Sequence, residues 1–249
     1  MSSEAIWFGS AASMLAGVAT GAGALPVLFV RNFSDRLLDV MLGFSAGVML
    51  AATFFSLLIP AISVGGIWVA VLGIVLGAMV LHLADRLVPH FHPALGEEGH
   101  PSKLSRVWLF TLAVTIHNFP EGLAVGVSFG TGDIAAGLVV AVAIGLQNMP
   151  EGLAVALPML REGYSKRKSL GYSTLTGLVE PIGGLLGVAL VSVFHQFLPW
   201  ALAFAAGAML FVVSDEIIPE SHRKGFERQA TFGLVVGFIV MMLLDSLFA

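Results

Sequence analysis

Long apolar stretches alternate with short charged or Gly/Pro-rich segments along the whole chain. A transmembrane helix needs about 20 apolar residues to cross the hydrocarbon core of a bilayer. The chain divides into eight stretches of about that length, near 6–30, 37–61, 64–87, 105–130, 134–160, 169–194, 198–219 and 228–248. The pattern therefore predicts an all-α polytopic membrane protein with eight transmembrane helices.

The positions of Lys and Arg test this count of helices. The chain has 12 such residues, and all of them fall in the loops after the first, third, fifth and seventh predicted helices or at the bordering helix ends. Positive charge accumulates on the cytoplasmic side of membrane proteins. We therefore expect these four loops to be cytoplasmic and both chain termini to face outward.

The composition agrees with a membrane protein and limits its chemistry. Of 249 residues, 57% are hydrophobic and 11% charged, with a mean hydropathy of +0.93, outside the range of soluble domains. The chain has no cysteine, so any metal ligand must be a nitrogen, an oxygen or a thioether. The first ten residues include an acid but no Lys or Arg, so we expect no cleavable signal peptide.

The sequence also contains an internal repeat. A shift of 160 residues aligns the first three predicted helices with the last three without a gap. Because two helices intervene, the second copy would cross the membrane in the opposite direction, as in many secondary transporters. We expect a 3+2+3 inverted-repeat arrangement in one domain, 1–249. Its parts are a first repeat (1–89), a cytoplasmic His-containing loop (90–103), a central helix pair (104–160) and an inverted second repeat (167–249).

The two central helices repeat each other at an offset of 30, with HNFPEGLAV at 117–125 and QNMPEGLAV at 147–155. Adjacent helices run antiparallel, so the two motifs can face each other near the bilayer midplane, where the sites of transporters lie. The sequence therefore places its candidate site between these two helices.

Each motif brings metal-ligand side chains to one helix face. His117 and Glu121 are four residues apart, and Gln147 and Asn148 have the same or nearly the same spacing to Glu151. This mixed set of nitrogen and oxygen ligands suits Zn, Fe, Mn or Co better than a hard cation such as Ca²⁺. The spacing thus indicates a transition-metal site.

Three glutamates, Glu121, Glu151 and Glu180, lie deep inside predicted helices. A charge at that depth costs roughly 2.5–3.5 kcal/mol, and no Lys or Arg is placed to neutralise it, so a metal ion or protons must supply the positive charge. Met49 could add a thioether. Two simpler interpretations stay open, because Glu180 could be protonated and hydrogen-bonded, and Met49 could serve packing alone.

Other polar residues have more than one interpretation. The loop after the third helix carries His90, His92, Glu97, Glu98 and His100. That pattern fits a cytoplasmic metal-collecting or sensing segment and equally a solvated polar loop.

Four further acids have structural interpretations. Asp85 and Asp245 are expected at helix termini. Asp215 and Glu216 could lie near the cytoplasmic exit, cap a helix end or pair with Arg223.

The motifs HNFPEG and QNMPEG, together with FSAGVML, GLVEPIGG and SDEIIPESH, closely resemble the ZIP family of metal transporters. The resemblance covers nearly the whole chain and is strongest to the GufA-like prokaryotic branch. It implies movement of Zn²⁺, or of Fe²⁺, Mn²⁺, Co²⁺ or Cd²⁺, into the cytosol through a two-metal centre in a prokaryotic cytoplasmic membrane. It also implies the ligands: a primary site of His117, Glu121, Gln147 and Glu151 with Met49 nearby, and a second site of Asn118, Asn148 and Glu180, bridged by Glu121 or Glu151.

One departure from the family pattern concerns Gln147 and Asn148, where many relatives have His or Asp. Two neutral amides reduce the negative charge available to a second ion.

Other functions are weighed against transport. A hydrolase could use Glu121 or Glu151 as a base, but the chain has no HExxH element and no nucleophile constellation. A metal sensor would depend on the histidine loop alone. Only transport by alternating access uses the inverted repeat. Small-residue helix faces permit a homodimer, and we expect no nucleic-acid partner and no catalytic cofactor.

Overall fold

The computed structural model describes residues 3–30, 33–92, 96–100 and 102–248. Its helices are α1 (Ser3–Ala24), α2 (Asp35–Ala51), α3 (Ile59–Gly65), α4 (Ile67–Leu87), α5 (Arg106–Phe129), α6 (Ile134–Arg161), α7 (Lys166–Gly177), α8 (Glu180–Val193), α9 (Leu198–Val212), α10 (Ile218–Ser221) and α11 (Glu227–Phe248). Two 3₁₀ turns (Leu25–Leu28, His195–Phe197) and two π-helical segments (Ala52–Leu58, Val213–Ile217) extend them. An antiparallel hairpin of β1 (His90–His92) and β2 (Gly96–Glu98) precedes α5.

Seven helical segments of the described residues are long and apolar enough to cross a membrane, which confirms a mostly α-helical, polytopic membrane protein. They are Glu4–Leu28, Asp35–Gly65, Ile67–Leu87, Ile134–Arg161, Lys166–Val193, His195–Ser221 and Glu227–Phe248. Helix α5 has 24 residues but is not among the seven. Its polar residues, His117, Asn118 and Glu121 among them, lower its hydropathy, so the eighth span stays a prediction.

Prolines interrupt three of the predicted helices. Proline has no N–H to donate to the carbonyl four residues earlier. Pro181 is in the first turn of α8 and follows a break after α7, so the predicted helix 169–194 is divided in two. Pro60 and Pro219 follow the two π-helical segments. These two segments lie at nearly equivalent positions of the repeat, one in each copy.

Contacts between helices follow the sequence repeat. Helix α1 packs on α6 as α8 packs on α5, and α2 packs on α11 as α9 packs on α4. At one such contact Gly77 faces the backbone carbonyl of Phe204, and at the equivalent contact Gly237 faces that of Phe44. A Cβ at either glycine would collide with the carbonyl oxygen, so both helix pairs need glycine to approach this closely.

The contacts also divide the helices into two groups. Helices α1, α5, α6, α7 and α8 pack extensively on one another and form what we call the site group. Helices α2, α3, α4, α9, α10 and α11 form the frame group, which is built from the α2–α11 and α4–α9 pairs. The two groups meet mainly where α2 contacts α6 and where α5 contacts α9.

Four loops meet at one end of the helix bundle, which we call the loop end. The contacts are Arg161 Nη2 to Asp35 Oδ1 at 3.1 Å, Ser105 Oγ to Glu162 Oε2 at 3.2 Å, and Lys224 Nζ to Asp39 Oδ1 at 3.9 Å. They join the loops that follow α1, α4, α6 and α10. These are the four loops in which the sequence concentrates positive charge.

Candidate metal centre

The structure buries every residue that the sequence analysis assigns to the metal site. Each is at most 2% exposed: Met49, His117, Asn118, Glu121, Gln147, Asn148, Glu151 and Glu180. Helices α5 and α6 continue through their internal prolines and carry six of the eight, while α2 and α8 supply Met49 and Glu180.

A chain of hydrogen bonds links Gln147, Asn148 and Glu180. Gln147 Nε2 donates to Asn148 Oδ1 at 2.7 Å, and Asn148 Nδ2 donates to Glu180 Oε1 at 2.6 Å and to the Ala16 carbonyl at 2.9 Å. Gln147 Oε1 and Glu180 Oε2 are buried and have no hydrogen-bond partner among the described residues. These hydrogen bonds fix the positions of the three side chains and leave one oxygen of Gln147 and one of Glu180 available to a ligand.

Glu121 and Asn118 have even fewer partners. Both polar side-chain atoms of Asn118 are buried without a hydrogen bond to the described residues, and the Glu121 carboxylate interacts with the Gln147 side chain without a close hydrogen bond. Glu121 interacts electrostatically with Glu151 and Glu180, and no ion pair in the described part of the chain joins these glutamates to Lys or Arg. Buried polar atoms without partners are costly. The set of donors fits a divalent cation, which would satisfy them.

The frame group reaches the centre through α2. Ser45 Oγ lies 2.6 Å from the Gln147 carbonyl oxygen and 3.2 Å from Glu151 Oε1. Met49 follows one turn later on the same side of α2 and is fully buried. Helix α2 therefore places a hydroxyl donor and, one turn away, a thioether on the side that meets α6.

His117 extends the centre toward the loop end. Its Nε2 lies 2.9 Å from Glu216 Oε1, and Asp85, His117 and Glu216 each offer a ligand atom within 4.8 Å of the other two. His117 also interacts electrostatically with Glu151. The imidazole is thus shared between the predicted centre and a second buried cluster of two carboxylates and one imidazole, which has the chemistry of a metal site.

The hairpin places a further histidine beside this cluster. His90 is fully buried, and its Nε2 lies 3.7 Å from Glu98 Oε2 and 4.0 Å from Glu216 Oε1. Glu97 and His100 are exposed, and the His92 side chain lies outside the described residues. At His90 the interpretation as a solvated polar loop is therefore wrong.

Two cavities that share Glu220 in their lining lie between the centre and the loop end. A cavity of about 10 Å³, lined by His117, Glu151, Glu216 and Glu220 among others, has about the size of one water molecule. Glu220 also lines a wider cleft of about 270 Å³ between the loops. There Arg223 donates two hydrogen bonds to Glu220, at 2.7 and 2.8 Å, which raise the pKa of its guanidinium.

Comparison with known proteins decides the family. Residues 96–245 match the ZIP zinc transporter family. Zinc transporter GufA from Myxococcus xanthus is 47% identical over 248 aligned residues, which cover 95% of this chain and 97% of that protein.

The chain belongs to the ZIP family. Zinc transporter ZIPB from Bordetella bronchiseptica is 45% identical, covering 92% of this chain and 77% of that protein. Human zinc transporter ZIP11 is 36% identical, covering 91% and 93%. The resemblance seen in HNFPEG and QNMPEG, which we call the PEG motifs, is therefore confirmed, including its closeness to GufA.

The ZIP motifs did not identify every residue that the structure brings to this centre. Asp85 does lie in the last turn of α4, as a terminal residue would, but it is buried beside His117. The predicted pairing of Glu216 with Arg223 is wrong, because Arg223 pairs with Glu220 and Glu216 contacts His117. One signal was available: the offset of 160 matches Asp85 with Asp245, so both copies of the repeat have an acid at this position.

Proposed function

We propose that this ZIP-family protein transports Zn²⁺ into the cytosol by alternating access through the centre between α5 and α6. The observation that carries the proposal is the cluster of three buried carboxylates, Glu121, Glu151 and Glu180, which lacks a Lys or Arg partner among the described residues. A divalent cation would neutralise this charge where a side chain does not. The relatives described above are named as zinc transporters, which supports this cargo and a function other than catalysis.

The proposed ligands of the transported ion are His117, Glu121, Gln147 and Glu151, with Met49 as a soft neighbour. Gln147 is suited to this role because its Nε2 is already bonded to Asn148 while its Oε1 is free to bind the ion. His117 would turn from Glu216 toward Glu151 when the ion is bound.

A second ion would use Asn118, Asn148 and Glu180, bridged by Glu121 or Glu151. The free oxygens of Asn118 and Glu180 support this assignment. The Asn148 oxygen is bonded to Gln147, so it would have to exchange that hydrogen bond for the ion. We therefore expect the second site to be the weaker of the two.

For the membrane arrangement we propose eight spans in a 3+2+3 inverted repeat, with α5 as the eighth span. The loop end faces the cytoplasm, because it gathers the loops that carry the positive charge, and both termini face outward in a prokaryotic cytoplasmic membrane. The site group would move against the frame group during transport, since the two groups share few contacts compared with those inside each group. The two cavities that Glu220 lines support release toward the loop end.

The mixed nitrogen and oxygen ligands would also accept Fe²⁺, Mn²⁺, Co²⁺ and Cd²⁺, so we propose that these ions compete with zinc. The small residues on the helix faces support a homodimer, and size measurement in detergent tests it.

Radiolabelled zinc uptake into proteoliposomes tests the function. Glu151→Gln keeps the size of the side chain and removes its charge, and we expect saturable uptake to be lost. The control is Glu227→Gln, an exposed glutamate at the start of α11, which should leave uptake unchanged. Tight zinc binding by wild type without any uptake would contradict transport and favour a sensor.

A further inference from the structure

Ser45 is a buried hydroxyl that approaches the centre from the frame group. It is fully buried on α2, and both of its hydrogen-bond partners belong to α6 in the site group. A serine hydroxyl has a single proton, so the short contact to the Gln147 carbonyl and the longer contact to Glu151 Oε1 share one donor. The hydroxyl is therefore poised between the backbone of one proposed ligand and the carboxylate of another.

We propose that Ser45 is a positioning residue for zinc transport, holding the Glu151 carboxylate in the orientation that binds the ion. The inference rests on the proposed role of Glu151 as a ligand. At 3.2 Å the contact with Glu151 is longer than an ordinary O–H···O hydrogen bond; when the hydroxyl turns to the ionised carboxylate, the bond becomes charge-assisted and roughly twice as strong as a neutral one. It restricts the flexible Glu151 side chain to rotamers that face α2.

The contact with Gln147 competes for the same proton, but it keeps the Ser45 oxygen beside Glu151. Gln147 and Glu151 are successive turns of one helix face, and the contact of 2.6 Å to the Gln147 carbonyl fixes the hydroxyl relative to that face. The oxygen of Ser45 therefore stays next to the turn of α6 that carries both ligands for as long as α2 and α6 are in contact. When the site group moves against the frame group, this contact would be lost.

The other half of the repeat lacks this device. The offset of 160 matches Ser45 with Ala205, which is equally buried but has no hydroxyl. Glu121, which the offset of 30 matches with Glu151, interacts with the Gln147 side chain of the site group and accepts no hydrogen bond from a frame-group hydroxyl among the described residues. The frame group thus contacts one glutamate of the pair through a hydroxyl and not the other.

Zinc uptake kinetics in proteoliposomes test this role. Ser45→Ala should raise the KM for zinc about tenfold, the effect of losing about 1.4 kcal/mol of binding, with the maximal rate within about twofold of wild type. Ser45→Thr keeps the hydroxyl and should restore most of the affinity. Ser128→Ala is the matched control, because the Ser128 hydroxyl is also buried in a long helix but donates to the Ala124 carbonyl of its own helix, and this variant should keep the wild-type KM.

Zinc binding by the purified protein separates the two proposals. In a Glu151→Gln background, Ser45→Ala should not weaken zinc binding further, because the carboxylate that it positions is already gone. An unchanged KM in folded Ser45→Ala, or a fall in maximal rate alone, would overturn the positioning role. If Glu151→Gln transports zinc like wild type, Glu151 is not a ligand of the transported ion and the proposed function is wrong at this point. If Glu151→Gln loses uptake but Ser45→Ala behaves like wild type, Glu151 remains a ligand and only the positioning role of Ser45 is wrong. Size-exclusion profiles of each variant establish that it is folded.

Discussion

The two copies of the repeat differ most where each ends its third helix. Near the loop end, Asp85 of α4 lies with His117 and Glu216, and the three ligand atoms are within 4.8 Å of one another. Near the opposite end, the matching Asp245 of α11 accepts a hydrogen bond of 2.6 Å from Ser56. The offset of 160 that matches the two aspartates also matches Glu216 with Ser56.

The surroundings of Asp85 and of Asp245 therefore occupy equivalent positions of the repeat but differ in charge. The loop-end cluster is buried and combines two carboxylates with an imidazole, which is enough to hold a divalent transition metal. At the opposite end, Asp245 is half-buried and is a single carboxylate that already accepts a hydrogen bond from the Ser56 hydroxyl. Symmetric packing allows two similar states of a carrier. We expect the unequal polar residues to hold an ion more strongly at the loop end than at the opposite end.

The largest effect is expected at Glu216. Glu216→Gln removes a carboxylate from the cluster and weakens the contact with His117, so zinc uptake should fall by roughly 10–100-fold, as when the support of a metal ligand is lost. Radiolabelled uptake into proteoliposomes measures it. Glu227→Gln changes an exposed glutamate at the start of α11 and should have no effect. Normal uptake by Glu216→Gln would show that the cluster is not on the path of the ion.

The two matched aspartates give a direct comparison. Asp85→Asn should lower the maximal uptake rate more than Asp245→Asn, because Asp85 shares its cluster with His117, a proposed ligand, whereas Asp245 has Ser56 as its bonded partner. Both variants are measured in the same proteoliposome preparation at saturating zinc. Equal losses would mean that Asp85 and Asp245 contribute equally to zinc uptake, and that the loop-end cluster has no special role.

The difference between these ends also marks the limit of what the sequence could predict. The apolar pattern predicted the helices, and the family motifs predicted eight site residues, six of them in HNFPEG and QNMPEG, that are all buried. These predictions depend on spacing within one helix. The contact of His117 with Glu216 joins residues 99 positions apart on two helices. Periodicity predicts which face of a helix is buried, but it does not predict which other helix packs against that face. The sequence named His90 only as part of a loop with two interpretations, because its burial beside Glu216 depends on how the hairpin folds against α5.

A carboxylate added beside Asp245 should make the end opposite the loop end more like the loop end in its affinity for a cation. Ser56→Glu places a second carboxylate next to Asp245, and we expect one further Zn²⁺ to bind per chain with low affinity, because two adjacent carboxylates attract a divalent cation. Metal analysis and calorimetric titration of the purified protein measure it. Ser56→Gln has the same size without the charge and should bind no extra ion. If both variants bind the same amount of zinc, local charge does not explain the difference between the ends.

The smallest effect is expected where the two copies are alike. Gly77→Ala and Gly237→Ala each push a methyl group against a backbone carbonyl, that of Phe204 or Phe44, and each should lower the free energy of unfolding by about 1–3 kcal/mol, the usual cost of overpacking. Thermal unfolding in detergent compares them, with Gly171→Ala as the control, because a Cβ there meets nothing within 4 Å. Similar losses for Gly77 and Gly237 would mean that packing is symmetric and that the asymmetry between the ends is confined to their polar residues. A clear difference in stability would place part of that asymmetry in the helix contacts themselves.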